Sequence, residues 1–531
     1  MKKFPIVAFL SLTLFISGQV GAFQEPEAKP LAESLAQAKV VVLARLVAYV
    51  PDNKYKDFPT HPLTLNPLTL KPFSMNPEKN AHISPIGMDT AKEITGRNES
   101  SHSIDVPYSY VAMDIIPLVD LLKWPGHYTF QVVQTIEGQC EPTLQMDLPL
   151  VQARFYGGMR RWVEEGDTVL LLLTSNSQGQ WVPVDPEVPF VTLAGKEQQL
   201  NILDSQEAKT RKSRVVNLLL SSLSNPVLRQ ETTYFLRSFV DPQIVVGLAP
   251  YIDDPNIRTQ DNVLYCMAAN HQVTVIPRIA QLSSKMWLTG GAPDSLQTLP
   301  DFNTAEAVPY LNPLLFETPL YTRLNTMYAL SKSANRTSIP YLLLALRDPD
   351  VSIAQDAYGI MHRLLPTLEP GQGYDYFQAH REQETSILFN WWRDELAGKH
   401  PHAPDEKERI VLDAGQTHDT KELPKLNEAL FMRREATRRA AARGLEEFAD
   451  QSSIPYLLIA LYDPVPDAAL SAYTTLHRLV PELGAASRAK WEKEREAQTK
   501  LAFDWWQQHL IGADKPPAPL APVKAPNVAA P

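Results

Sequence analysis

Residues 338–346 read SIPYLLLAL, and residues 453–461 read SIPYLLIAL. The two stretches lie 115 positions apart and differ only where Leu344 meets Ile459. The match continues at that offset: Asp348-Pro349 with Asp463-Pro464, Ala357-Tyr358 with Ala472-Tyr473, and His362-Arg363-Leu364 with His477-Arg478-Leu479. One residue is then lost, and Phe389-Asn390-Trp391-Trp392 meets Phe503-Asp504-Trp505-Trp506. An internal duplication of this length marks a repeat architecture, in which each unit buries an apolar face against a neighbour.

Apolar residues from about position 213 recur with the helical period, predicting helices over 215–223, 230–239, 244–252 and 257–267. The phrase IVVGLAPYIDDPNIRTQDNVLYCM (244–267) parallels the two duplicated stretches: a leucine-rich helix, an Asp-Pro pair, then a second helix. The pairs are Asp254-Pro255, Asp348-Pro349 and Asp463-Pro464. An aspartate that accepts from orphan N–H groups, followed by a proline with no N–H to lose, predicts a capped helix start at each joint. A longer helix follows each hairpin, at about 376–396 and 486–510. Phe389, Trp392 and Leu396, and again Phe503, Trp506 and Leu510, fall on one face of it, the spacing of core residues.

This pattern resembles HEAT repeats of the short bacterial type, over residues 213–285 and 315–512. The resemblance implies an all-α, HEAT-like solenoid with extended binding surfaces. The 115-residue unit departs from that family by exceeding a single repeat.

The N-terminus sets the expected address. Lys2 and Lys3 precede an apolar stretch at 4–16, and Val20-Gly21-Ala22 offers small residues for cleavage. This reads as a signal peptide over 1–22, so the chain is expected to be exported, periplasmic or secreted, with no transmembrane segment after cleavage. A leader follows at 23–32.

A β-rich domain is expected over 33–205. VVVLARLVAYV (40–50) is apolar on both faces, YTFQVVQTI (128–136) alternates, and TVLLLL (168–173) follows the turn signal Gly166-Asp167. Trp181-Val182-Pro183-Val184 reads as a short last strand, and an irregular insert spans about 51–125. These strands resemble the small barrel, OB-like or netrin-like, at the start of many exported bacterial proteins. Netrin-module protease inhibitors use an N-terminal cysteine; here the first is Cys140, so that activity is not carried over. The fold class is therefore multidomain, a small N-terminal all-β, barrel-like domain followed by the helical array. Residues 286–314 read as a linker or insert between 213–285 and the first unit (315–398). Residues 399–424 read as a charged linker before the second unit (425–512), and 513–531 as an Ala/Pro-rich tail.

The formal net charge of −10 argues against nucleic acid as a partner, because phosphate binding needs a basic surface. Two cysteines, Cys140 and Cys266, do not make a disulfide scaffold. No HExxH, CxxC, GxSxG, P-loop or GxGxxG occurs, so no catalytic residue, cofactor or metal ligand is assigned. His400 and His402 lie in a Pro-flanked stretch without a matching carboxylate. His362 and His477 recur in the repeat, where a last-turn histidine can bond free carbonyls.

The candidate partner-binding residues are Arg433, Arg434, Arg438, Arg439 and Arg443, a basic cluster on the helix opening the second unit. The first unit places Thr318, Pro319, Arg323, Leu324 and Tyr328 there, so the repeat itself does not demand the charge. The expected function is a non-catalytic scaffold or adaptor for a protein or envelope component. Two alternatives stay open: a hydrolase-type enzyme using His61, His82, His102, Asp105 and Asp114 of the insert, and a structural or carbohydrate-associated envelope protein using exposed tryptophan.

Overall fold

The computed structural model describes residues 30–51, 122–123, 126–148, 151–152, 163–186, 188–196, 198, 200, 210–287, 291–365, 373–399 and 422–514. The stretch read as a signal peptide, most of the expected leader, residues 52–121 of the expected insert, residues 400–421 and residues 515–531 lie outside those residues. The chain forms two units, Met1–Gln199 and Leu200–Pro531.

In the first unit a short helix, Leu31–Gln37 (α1), starts inside the expected leader and packs on the sheet with Leu31 and Leu35 buried. Leucines one helical turn apart explain why this segment folds. The strands are Val40–Pro51 (β1), Leu122–Lys123 (β2), Gly126–Glu137 (β3), Thr143–Leu148 (β4), Val151–Gln152 (β5), Thr168–Ser175 (β6), Trp181–Pro183 (β7) and Val191–Ala194 (β8). The main sheet is antiparallel with order β4-β3-β1-β6-β7, β8 also pairs with β6, and β2 pairs separately with β5.

Strand β7 returns beside β4, so the sheet is nearly closed and barrel-like. Its interior holds Val42, Leu46, Phe130, Leu144, Met146, Val169 and Leu171. Three register shifts between β1 and β3 supply the extra twist that curls the sheet. Glycine is required at 138, where φ is +83° and a Cβ would stand 2.7 Å from the Lys39 carbonyl.

The second unit is helical. Arg211–Ser222 (α2) leads into Pro226–Leu236 (α3), Pro242–Leu248 (α4), Ile257–Ala269 (α5) and Ile276–Trp287 (α6). After Val308–Leu311 (α7) come Leu320–Ser333 (α8), Ile339–Ala345 (α9), Val351–Leu364 (α10) and Tyr374–Leu396 (α11). The duplicate is Leu423–Ala429 (α12), Glu435–Phe448 (α13), Ile454–Ala460 (α14), Pro466–Leu479 (α15) and Arg488–Asp514 (α16). The repeating element is a long helix, a short helix, an Asp-Pro turn and a second long helix: α3–α5, α8–α10 and α13–α15.

Residues 291–314, read as part of a linker or insert, are packed. The Asp261 carboxylate accepts from the amides of Asp294 and Ser295 at 2.9 Å, which starts a 3₁₀ helix over Asp294–Asp301. Leu296, Leu299, Phe302, Val308 and Leu311 are buried, so this stretch joins the first repeat to the second through core contacts. The second linker is also shorter than expected, since α12 already begins at Leu423.

The duplicated units meet through equivalent residues. Phe316 stacks on Tyr341 with ring centroids 5.1 Å apart, and its counterpart Phe431 stacks on Tyr456 at 5.5 Å. The cross pairs are reciprocal: Phe316–Tyr456 at 5.3 Å and Tyr341–Phe431 at 5.6 Å, both edge-to-face. Tyr341 faces Tyr456 at 5.9 Å, Phe389 faces Phe503 at 5.7 Å, and α9 packs on α14. Contacts in which residue i touches j′ while j touches i′ define an isologous interface. A local two-fold axis therefore runs between the two units.

Candidate functional site

The interior framework decides which charges remain outside. In each repeat an arginine of the first long helix reaches the aspartate of the Asp-Pro pair. Arg229 meets Asp254 at 2.7 Å, Arg323 meets Asp348 at 2.7 Å, and Arg438 meets Asp463 at 2.6 Å. The other carboxylate oxygen accepts the backbone N–H two residues on, from Asn256, Asp350 and Val465, at 2.9, 2.9 and 2.8 Å. The same guanidinium donates to the carbonyl six residues earlier, of Leu223, Glu317 and Met432. One side-chain pair thus fastens the start of the first helix to the turn before the last.

This corrects the expected role of the aspartates. They do not cap the following helices, whose N-cap residues are Asn256, Asp350 and Val465. They close a turn across the proline and neutralise a buried arginine. The Arg323 and Arg438 side chains are fully sealed from solvent, which an ion pair tolerates only with its remaining polar groups hydrogen-bonded.

A second arginine fastens the added helix. Arg381 donates to the carbonyls of Leu346 and Asp348, and Arg495 to those of Leu461 and Asp463. Each follows a kink, at His380 in α11 and at Glu494 in α16, where the backbone leaves helical geometry. Burial pulls the pKa of both guanidiniums down, and Asp348 and Asp463 oppose it. The expected apolar stripe faces inward: Phe389, Trp392, Leu396, Phe503, Trp506 and Leu510 are all buried. On the two-fold axis the phenols of Tyr341 and Tyr456 share a hydrogen bond. Burial, the main cause, raises both pKa values, that of Tyr456 to about 12.

Against this framework the five candidate arginines separate. Arg438 is not a surface residue, being the buried partner of Asp463. Arg433 is half-buried and turns to Glu395, with 3.4 Å between Nε and Oε1. Arg439 pairs with Glu435 and lies 4.0 Å from Asp467. Arg434 and Arg443 are exposed. The sequence cluster therefore becomes a smaller outward set, Arg434, Arg439 and Arg443, edged by exposed Glu435, Glu446 and Glu447.

The equivalent outer positions carry different chemistry. Where α13 presents Ala436, Arg439 and Arg443, α8 presents Tyr321, Leu324 and Tyr328, and α3 presents Val227, Gln230 and Tyr234. Tyr328 is 54% exposed with the Lys332 ammonium 4.5 Å from its ring centre, and Trp287 stands edge-on to Tyr321 at 6.1 Å. Sequence reading missed this aromatic face. The signal was present in Tyr321, Leu324 and Tyr328, spaced at three and four on a helix whose inner face is filled by Thr322, Thr326 and Met327.

His362 stands edge-on to Tyr358 one turn earlier at 4.4 Å, His477 lies tilted against Tyr473 at 4.2 Å, and His477 also bonds the Gly484 carbonyl. Trp391 is buried beneath Arg336, whereas Trp505 is half-buried beside His509. His61, His82, His102, Asp105, Asp114, His400 and His402 lie outside the described residues. Among the described residues no group of His, Cys, Asp and Glu is arranged to hold a metal ion, and no helix is long and apolar enough to cross a membrane.

A family model described as PBS lyase HEAT-like repeat matches residues 437–463. The match begins one residue before Arg438, ends on its partner Asp463, and takes in most of α13 and all of α14. No curated protein matches the chain. The helical unit is thus a scaffold carrying a HEAT-like repeat, an architecture suited to protein interaction.

Proposed function

We propose that this chain is a non-catalytic scaffold or adaptor, exported to the periplasm or medium, that binds a protein or envelope component through the outer faces of its first repeat helices. One observation carries the reading. The duplicated helices α8 and α13 keep the same buried arginine and the same aspartate partner, yet their outward positions have diverged from Tyr321, Leu324 and Tyr328 to Ala436, Arg439 and Arg443. Interior positions retained between two copies serve the fold. Outward positions that differ are where binding specificity is written on a repeat scaffold. Aromatic and arginine side chains are also those enriched at binding hot spots.

The test is affinity capture from the envelope and secreted fractions of the producing organism. The full chain is compared with Tyr321→Ser/Tyr328→Ser and Arg439→Glu/Arg443→Glu, each checked for an unchanged circular dichroism spectrum. A partner retained by the parent and lost from one folded variant supports the reading. Identical captures by all three, or none by any, overturn it.

A further inference from the structure

The outer face of α8 carries a ladder of four side chains. Tyr321, Asn325, Tyr328 and Lys332 follow one another at intervals of four, three and four, so they share one face of the helix. Tyr321 is 41% and Tyr328 54% exposed. Seven residues of helix set the two positions about 10.5 Å apart along the axis. Both rings are held. Trp287 meets Tyr321 edge-on at 6.1 Å, and the Lys332 ammonium lies over the Tyr328 ring, 4.5 Å from its centre. Between the rings the Asn325 amide donates to the Tyr321 carbonyl at 2.8 Å, which leaves its side-chain oxygen as an acceptor.

The charge on this face has one sign. Helix α8 contains no Asp or Glu, and among the described residues no carboxylate pairs with Lys332. Its equivalents differ: α3 carries Glu231, and α13 carries Glu435, Glu446 and Glu447. In a chain of net charge −10, an aromatic stripe with one unpaired cation and no acid complements an anionic ligand. The form of the stripe narrows the class. A partner helix docks in an apolar groove, and Asn325, Ser331 and Lys332 interrupt any such groove here. Rings separated by hydrogen-bonding groups match a sugar chain instead, whose C–H faces stack on aromatic rings while its hydroxyls meet the polar atoms between them. In an extended β-linked glycan, alternate sugars present the same face at a spacing close to that of the two tyrosines. We infer that the outer face of α8 binds a β-linked glycan bearing carboxylates, with alternate sugars on Tyr321 and Tyr328 and a carboxylate at Lys332. This inference rests on the reading that the outer faces bind, and it names the ligand of one of them.

The test is calorimetric titration of the full chain with a hexamer of β-linked mannuronate, beside cellohexaose, a neutral β-linked chain of equal length. The acidic hexamer binds about fivefold tighter than cellohexaose at low salt, the worth of one exposed ion pair, and the preference shrinks as salt rises. Tyr321→Ala/Tyr328→Ala weakens binding of the acidic hexamer about tenfold or more. Lys332→Gln brings the two sugars level and leaves the affinity for cellohexaose unchanged, a split that a folding defect does not produce. Arg439→Glu/Arg443→Glu, on the outer face of α13, leaves both affinities unchanged. No binding of the acidic hexamer, binding undiminished by the tyrosine pair, or binding lost in the α13 variant overturns the inference. A protein captured from the envelope by the parent and lost with Tyr321→Ser/Tyr328→Ser, together with no sugar binding, overturns the glycan alone and leaves α8 a binding face.

Discussion

Arg438 and Asp463 meet at 2.6 Å with both side chains about 1% exposed, and the same pair recurs as Arg323 and Asp348. A buried charge whose partner is removed keeps its desolvation penalty and loses its compensation. Arg438→Ala or Asp463→Ala should therefore destabilise the helical unit by about 3–5 kcal/mol. Arg434→Ala and Arg443→Ala, on the outer face, should stay within about 0.5 kcal/mol of the parent. Urea unfolding monitored by circular dichroism separates the two groups. Arg438→Met/Asp463→Leu should recover only part of the loss: it removes the unpaired charge, but leaves the Met432 carbonyl and the Val465 N–H without the partners they have in the parent. Equal effects at Arg438 and Arg443 would contradict the structural assignment.

The local two-fold makes a second prediction. Phe389 and Phe503 are equivalent, each about 1% exposed, and face each other at 5.7 Å. Replacing either by alanine should cost about 3–5 kcal/mol, the range for a buried phenylalanine, with closely matched values. The double replacement should cost clearly less than the sum, because both remove one shared contact. A double-mutant cycle in urea measures this. Strict additivity would mean that the two rings do not support one another.

Much of this arrangement was legible in the sequence because helices write their burial at spacings of three and four. The repeats and the inward face of Phe389, Trp392 and Leu396 follow from such patterns; of β1, expected to be buried on both faces, only Val40–Ala44 is, while Val47 and Val50 are exposed. Arg438 was not legible, because it sits among four other arginines and a charge run reads as solvent-facing. The missed signal was longer in range: Arg229, Arg323 and Arg438 each precede the aspartate of an Asp-Pro pair by 25 residues. Residues 291–314 hid for another reason. Short 3₁₀ turns broken by proline leave no helical period, although their leucines are buried. The two-fold axis also lay beyond sequence reading, since a duplication says that units match and not how they face.

Cys266 tests the packing of the first repeat. Its side chain is fully buried on α5 with the thiol toward the Thr233 carbonyl, and burial drives its pKa above the usual thiol range. Both lack of access and lack of thiolate suppress reaction. In a Cys140→Ser background an aromatic disulfide reagent should label Cys266 only after unfolding, at a rate that follows the unfolding rate in denaturant. Rapid stoichiometric labelling in buffer would show that this repeat opens independently.

Glu317 gives the pH prediction. It stands just before α8, where its carbonyl accepts from Arg323 and its carboxylate accepts from Ser284 at 3.3 Å. Burial raises its pKa, and the Ser284 hydrogen bond opposes the rise. The folded chain therefore holds this proton more tightly than the unfolded chain does. Its stabilising contribution is fully present below the ordinary carboxylate pKa of about 4.3 and is lost as pH rises through the higher folded value. Above that value the folded state carries a poorly solvated carboxylate. Glu317→Gln removes the titration while leaving an amide oxygen to accept from Ser284 and the backbone carbonyl for Arg323. The variant should exceed the parent in thermal midpoint at pH 7, with the gap closing as pH falls toward 4. A gap that widens on acidification would mean that the carboxylate is stabilised in the folded chain, the opposite of what its burial dictates.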